Sequence, residues 1–147
     1  MLVEEILEEM KKRDVEDVLK KYDWRSFESF VEFVFQQHEF ETRRNFRFFA
    51  GKRYEIDVLA EREAIVCVEC KRWKGWHKKA SLIEAARKHE EKVKEFIKAV
   101  KPKKHVMPVL IALTDEGIVK EGYVYIIPVW KLNEFLLNFE MWINSEL

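Results

Sequence analysis

Cysteine is scarce in this chain of 147 residues: Cys67 and Cys70 are the only two. So small a complement excludes a disulfide framework. The pair does form C-x-x-C, the spacing of zinc knuckles and redox sites. In a β-strand, however, positions i and i+3 point to opposite faces, where neither chelation nor bridging is easy. A zinc site would need two more ligands, and only His77 lies nearby. Two core cysteines are the favoured reading. Long apolar runs are also missing, and none approaches the roughly 20 residues of a membrane helix. The opening segment MLVEEILEEM is acidic and has no signal-peptide pattern. A soluble cytoplasmic protein without membrane association is the expectation. Internal repeats, low-complexity tracts and linkers are absent too.

What is present is a core. Hydrophobic residues make up 48% of the chain, with 11 Phe and 5 Trp, which suits one folded domain rather than disorder. The net charge is zero, yet the charges are segregated. Residues 42–104 hold 19 basic and 9 acidic groups, whereas residues 1–41 hold 6 and 12. A basic face for a polyanion is implied, hidden by a neutral total.

Periodicity divides the chain into elements. Residues 2–21 read as a helical arm, with Leu2, Val3, Ile6, Leu7 and Met10 forming a stripe that Val15, Val18 and Leu19 continue after a break near Asp14. A second helix starts near 23–26, capped by Asp23 or Ser26, and buries Phe27, Phe30, Val31, Val34 and Phe35. Glu28 lies on the border of that face. Its bland reading is a solvated charge. From 42 to 71 the period becomes two, giving an antiparallel meander over 42–49, 53–60 and 64–71. In the second strand Glu55, Asp57 and Leu59 share one face and Ile56, Val58 and Ala60 the other. In the third, Ile65, Cys67, Glu69 and Lys71 oppose Val66, Val68 and Cys70, as in a strand covered on both sides. A helix over 80–100 follows, with Leu82, Ala86, His89, Val93, Phe96 and Val100 at helical spacing. Two further strands (105–113 and 123–129) and a closing helix (131–145) complete the chain. The expected fold class is α/β, a central mixed sheet flanked by helices.

The hairpin between the second and third strands brings Asp57 near Glu69, with Lys71 beside them. Two carboxylates suit a hard cation such as magnesium. A lysine alongside can steer a water and stabilise charge developing on a phosphate. From the strand pattern alone, a structural ion pair in which Lys71 neutralises Asp57 or Glu69 stands level with this metal site. A basic surface lies to either side: Arg43, Arg44, Arg47, Lys52 and Arg53 before it, then Arg72, Lys74, His77, Lys78 and Lys79 after it. Trp73 and Trp76 are interleaved. Basic groups meet phosphates and rings stack on bases, so these twelve residues are the candidate nucleic-acid contacts. Singly, each is more often a surface charge or a core ring. His89, on an apolar stripe, reads as a core histidine.

The whole arrangement resembles a known family. Glu28, Asp57 and Glu69-Cys70-Lys71 are similar to the PD-(D/E)xK signature of restriction-endonuclease-like nucleases. WRSFESFVEFVFQQHEFET and YEIDVLAEREAIVCVECKRW look most like Mrr-type restriction endonucleases and archaeal Holliday-junction resolvases. The resemblance covers roughly residues 22–137, and D-x11-E-x-K is its most specific part. Ile56 stands where many relatives have Pro, and the segment after LIALTDEG is short for an Mrr-type protein. The resemblance implies a metal-dependent DNA endonuclease. Asp57 and Glu69 would hold Mg2+, with Mn2+ as a substitute and the Cys70 main-chain carbonyl as a further ligand. Lys71 would position the attacking water, and Glu28 would act directly or through metal-bound water. Residues 22–147 would be the nuclease domain and 1–21 an added arm. A homodimer is conceivable, with 2–10 or FLLNFEMWI as its surface, although both could equally be intrachain packing. An inactive nucleic-acid-binding or scaffold module of the same fold is the alternative function.

Overall fold

Apolar stripes decide the first helices. Val3, Ile6, Leu7 and Met10 are the buried positions of α1 (Val3–Lys12), and Val15, Val18 and Leu19 those of α2 (Val15–Lys21). Asp14 separates them and caps the second, its carboxylate accepting from the Glu16 N–H at 2.9 Å. These observations come from a computed structural model that describes residues 3–72, 79–114 and 117–145. Helix α3 (Phe27–Gln37) begins at Ser26. The Ser26 and Ser29 hydroxyls accept each other's backbone N–H at 3.0 and 3.2 Å, a reciprocal cap.

Strands β1 (Glu41–Phe49), β2 (Arg53–Glu61) and β3 (Ile65–Cys70) form the expected antiparallel meander. Helix α4 (Lys79–Val100) then crosses over to β4 (Val106–Ala112), parallel to β3. β6 (Val124–Pro128) runs parallel to β4, and the short β5 (Val119–Glu121) pairs antiparallel with β6. The order across the sheet is β1-β2-β3-β4-β6-β5. This is the α/β architecture expected, a mixed sheet between helices, with β5 as one strand more than the pattern announced. A 3-10 turn (Val129–Lys131) leads into α5 (Leu132–Leu137) and α6 (Phe139–Asn144). The single closing helix expected over 131–145 is therefore divided. Asn138 makes the break, its side-chain amide donating back to the Glu134 carbonyl at 2.9 Å.

Alternation along the central strands sorts two cores. Val66 and Val68 of β3, with Met107, Val109 and Ile111 of β4, pack in one apolar cluster with α1, α2, α3, α5 and α6. Ile65 and Cys67 of β3, and Leu110 and Ala112 of β4, face α4. Apolar residues on both faces are what a strand between two helical layers requires. Pro108 is tolerated in β4 because it falls one residue before the ladder with β6 begins at Val109. Of the α4 stripe, Ala86, His89, Val93 and Phe96 are buried, while Val100 is exposed. The α1 stripe is taken up by the chain's own core. Leu2 lies outside the described residues. No described helix is long and apolar enough to cross a membrane.

Candidate active site

The site grows from a place where β2 and β3 part. Their ladder runs from Glu61↔Ile65 to Val58↔Val68 and stops. The next β3 N–H, that of Cys70, goes to the Asp57 carboxylate (Oδ2, 2.8 Å). A side chain thus takes the donor that a continuing ladder would have used. Opposite Asp57 on β1 stands Asn45 with φ 54°, a conformation asparagine tolerates. The pleat loses its parity here. Ile56 packs with Phe46, Cys67 and Phe96 on the α4 side, whereas Val58 and Ala60 face α3. The expectation that Ile56, Val58 and Ala60 share a face is thereby corrected.

Glu69 sits opposite this gap, on the α4 side of β3, and is only 16% exposed. Two lysines hold it. The Lys71 Nζ is 3.4 Å from Oε2, and the Lys92 Nζ, from α4, is 3.0 Å from Oε1. The electrostatics follow from these neighbours. Burial pushes the Asp57 carboxyl up to about 6, and the Glu69 charge adds to this against the Cys70 N–H bond. Burial also works to raise Glu69, but the Lys92 charge and hydrogen bond, with Lys71, outweigh it and hold that carboxyl low. Two carboxylates side by side are thus kept apart in protonation, one easily protonated and one firmly ionised.

Glu28 approaches from α3 and is half-buried. Burial pushes the Cys70 thiol up, and Asp57, Glu28 and Glu69 add their negative charge to the effect. Three carboxylates therefore act on one point at the end of β3. They do not form a side-chain cage: among the described residues, no three His, Cys, Asp or Glu groups are placed to hold a metal together. Two half-buried carboxylates on hard oxygen donors do suit magnesium, provided further ligands come from the main chain or water. Cys67 and Cys70 are both free thiols, and they belong to opposite sides of the sheet, as strand alternation requires.

The basic residues are less uniform than their clustering in sequence implies. Arg44 is paired with Glu32 of α3 at 3.2 Å, and Arg47 with Glu55 at 3.7 Å. Arg43 lies over the Phe46 ring and Lys52 over Tyr54. Arg53 and Lys79 are exposed. Arg72 reaches Glu16 of α2 at 3.0 Å, tying the N-terminal helices to the strand that carries Glu69. Trp73, Lys74, Trp76, His77 and Lys78 lie outside the described residues. A cleft of about 510 Å3 opens beside Glu69 and Lys71, walled by Ala80, Ser81, Glu84, Ala85 and Lys88 of α4.

Lys92 is the residue that sequence reasoning missed. Its signal was present: it lies three positions after His89, on the border of the α4 stripe, where a lysine stem can be covered while its head emerges. His89 itself is a core residue. Its Nε2 donates to the Cys67 carbonyl at 2.8 Å, and burial pushes the ring down to about 4.

The fold and this strand-end pair of carboxylates define a restriction-endonuclease-like nuclease domain. Residues 19–116 match the family model of the Mrr catalytic domain, described as restriction endonuclease, and the chain belongs to that family. An uncharacterized protein of Archaeoglobus fulgidus is 33% identical over 123 residues, covering 82% of this chain and 94% of the relative. Among solved structures, the protein of unknown function AF1548 shares the fold at a TM-score of 0.52 and 21% identity. The match covers 78% of this chain, which spans 65% of that protein's length. The structure of VC1899 from Vibrio cholerae matches at a TM-score of 0.46 and 13% identity, over 80% of this chain and 33% of that one.

Proposed function

We propose that the protein is a metal-dependent DNA endonuclease hydrolysing phosphodiester bonds, with branched, modified or damaged DNA as its substrate class. The observation that carries this reading is the parting of β2 and β3. It sets Asp57, Glu69 and Lys71 together at a strand end, in a chain of a nuclease family. Asp57 and Glu69 would hold magnesium, or manganese in its place, which when bound supplies charge stabilisation at the reacting phosphate. The Cys70 carbonyl is a fitting third donor. A strand residue sends its N–H and C=O to the same side, and the Cys70 N–H already points at Asp57. Lys71 would position the attacking water and offset phosphate charge. Glu28 would orient water from the α3 side. Arg43, Arg44, Arg47, Lys52, Arg53, Arg72, Lys74, His77, Lys78 and Lys79 would bind the DNA backbone and Trp73 and Trp76 its bases, with Arg44, Arg47 and Arg72 exchanging their present carboxylate partners for phosphates.

In this reading residues 1–21 are an arm on a nuclease domain formed by 22–147. The protein works in the cytoplasm, and as a homodimer it could address both strands of a duplex. The test is cleavage of branched, single-stranded and duplex DNA with and without Mg2+, using Asp57→Ala and Lys71→Ala as controls. Nicking that survives Asp57→Ala unchanged rules the assignment out. One observation favours a second reading, a binding module that does not cleave: Glu69 is already neutralised by two lysines. DNA binding without cleavage under any divalent cation would establish it.

A further inference from the structure

Lys92 makes two bonds at the site, and its place there is built by the packing of α4 on β3. The His89 Nε2 donates to the Cys67 carbonyl at 2.8 Å, docking the helix on the strand. Cys67 and Glu69 lie two apart on one strand face, while His89 and Lys92 lie three apart on one helix face. Docking at the first pair therefore delivers the ammonium to the second. The Lys92 Nζ meets Glu69 Oε1 at 3.0 Å and the Glu55 carbonyl of β2 at 2.8 Å. Its side chain is 17% exposed, against 31% for Lys71, which stands further off at 3.4 Å. The bond to Glu55 fixes the ammonium independently of Glu69.

We propose that Lys92 is the resident counter-ion of the site, a positioning residue that holds Glu69 beside Asp57 when no divalent cation is bound and that competes with such a cation for Glu69. The proposal rests on the reading of Asp57 and Glu69 as the metal carboxylates. Neighbouring carboxylates repel, and a half-buried pair without a cation would spread apart. Of the two lysines on Glu69, Lys92 is the nearer and the more buried, so its charge compensates the carboxylates more strongly than that of Lys71. Removing that charge leaves the carboxylates under-compensated and raises their attraction for an added cation.

Calorimetric titration of the full chain with MnCl2, together with melting curves in chelator and in saturating Mn2+, tests this. Lys92→Met keeps the apolar stem and removes the charge. It should bind Mn2+ about tenfold more tightly than wild type, from one lost unit charge at close range. It should melt lower in chelator and recover that loss in Mn2+. Lys92→Gln, which keeps a hydrogen-bond donor without charge, serves if the methionine variant does not fold, with the same direction expected. Equal or weaker Mn2+ binding in the uncharged variant overturns the proposal while leaving the metal site standing. Wild type that shows no Mn2+ heat dependent on Asp57, judged against Asp57→Asn, instead removes the metal reading and this proposal with it.

Discussion

The two ends of the β2–β3 pair are held by different chemistry. At the hairpin end the backbone does the holding: Glu61 pairs with Ile65, and the Arg62 N–H closes the turn on the Ala64 carbonyl at 3.0 Å. Arg62 pins this end from outside, its guanidinium over the Phe40 and Phe139 rings and its Nη1 donating to the His38 carbonyl. At the far end the ladder stops, and Asp57, Lys71 and Lys92 do with side chains what carbonyls and amides do elsewhere. The first end is built for stability. The second gives up regular pairing to gather charge, the kind of local departure that suits the proposed active site.

Substitutions can sharpen that contrast. The largest effect belongs to the irregular end. Asp57→Ala should lower metal-dependent DNA cleavage about 1000-fold, since a bound ion contributes several kcal/mol to the transition state. Lys71→Ala should lower it about 100-fold or more, the range of a positioned proton-transfer group. Single-turnover cleavage assays read both, and folding should be intact. In the regular part, Val66→Ala empties a fully buried position and should cost about 2 kcal/mol of stability with the rate per folded molecule unchanged. A matching drop in rate would mean that the two ends are not separable.

The pH dependence of stability offers a finer test. The Asp57 carboxyl lies at about 6 in the folded chain, above its ordinary value of 3.8, so the folded state holds this proton more tightly than the unfolded state. The resulting stabilisation is complete below 3.8 and is lost as pH rises through about 6. In metal-free buffer Asp57→Asn, uncharged throughout, should therefore gain about 1 kcal/mol over wild type at pH 8, after allowance for solvent screening, and nothing at a pH well below 3.8. A gain of equal size at pH 8 and well below 3.8 would trace the effect to something other than ionisation. The smallest change expected is Arg62→Ala, about 0.5–1 kcal/mol from lost ring contacts, with cation binding unaltered in calorimetry.

Much of this was legible beforehand, for local reasons. The turn at residues 61–64 sets the hairpin register, so Asp57 and Glu69 are brought together by spacing alone. Glu28 was marked by its border position on α3. What escaped depends on contacts distant in sequence. Lys92 reaches Glu69 only because His89 docks α4 on Cys67. Ile56 changes face because the ladder ends beside it, and a two-residue period assumes that the ladder continues. β5 is three residues long and pairs, among the described residues, with β6 alone.

The sheet also has an open border. β1 is nine residues long and, among the described residues, has a partner on one side only. Such a strand can recruit another chain and seed aggregation unless it is made unwelcoming. Arg43, Arg44 and Arg47 line it, and two copies brought edge to edge would set like charges against each other. These arginines thus guard solubility whatever else they bind. Neutralising them should lower the concentration at which the protein stays monodisperse.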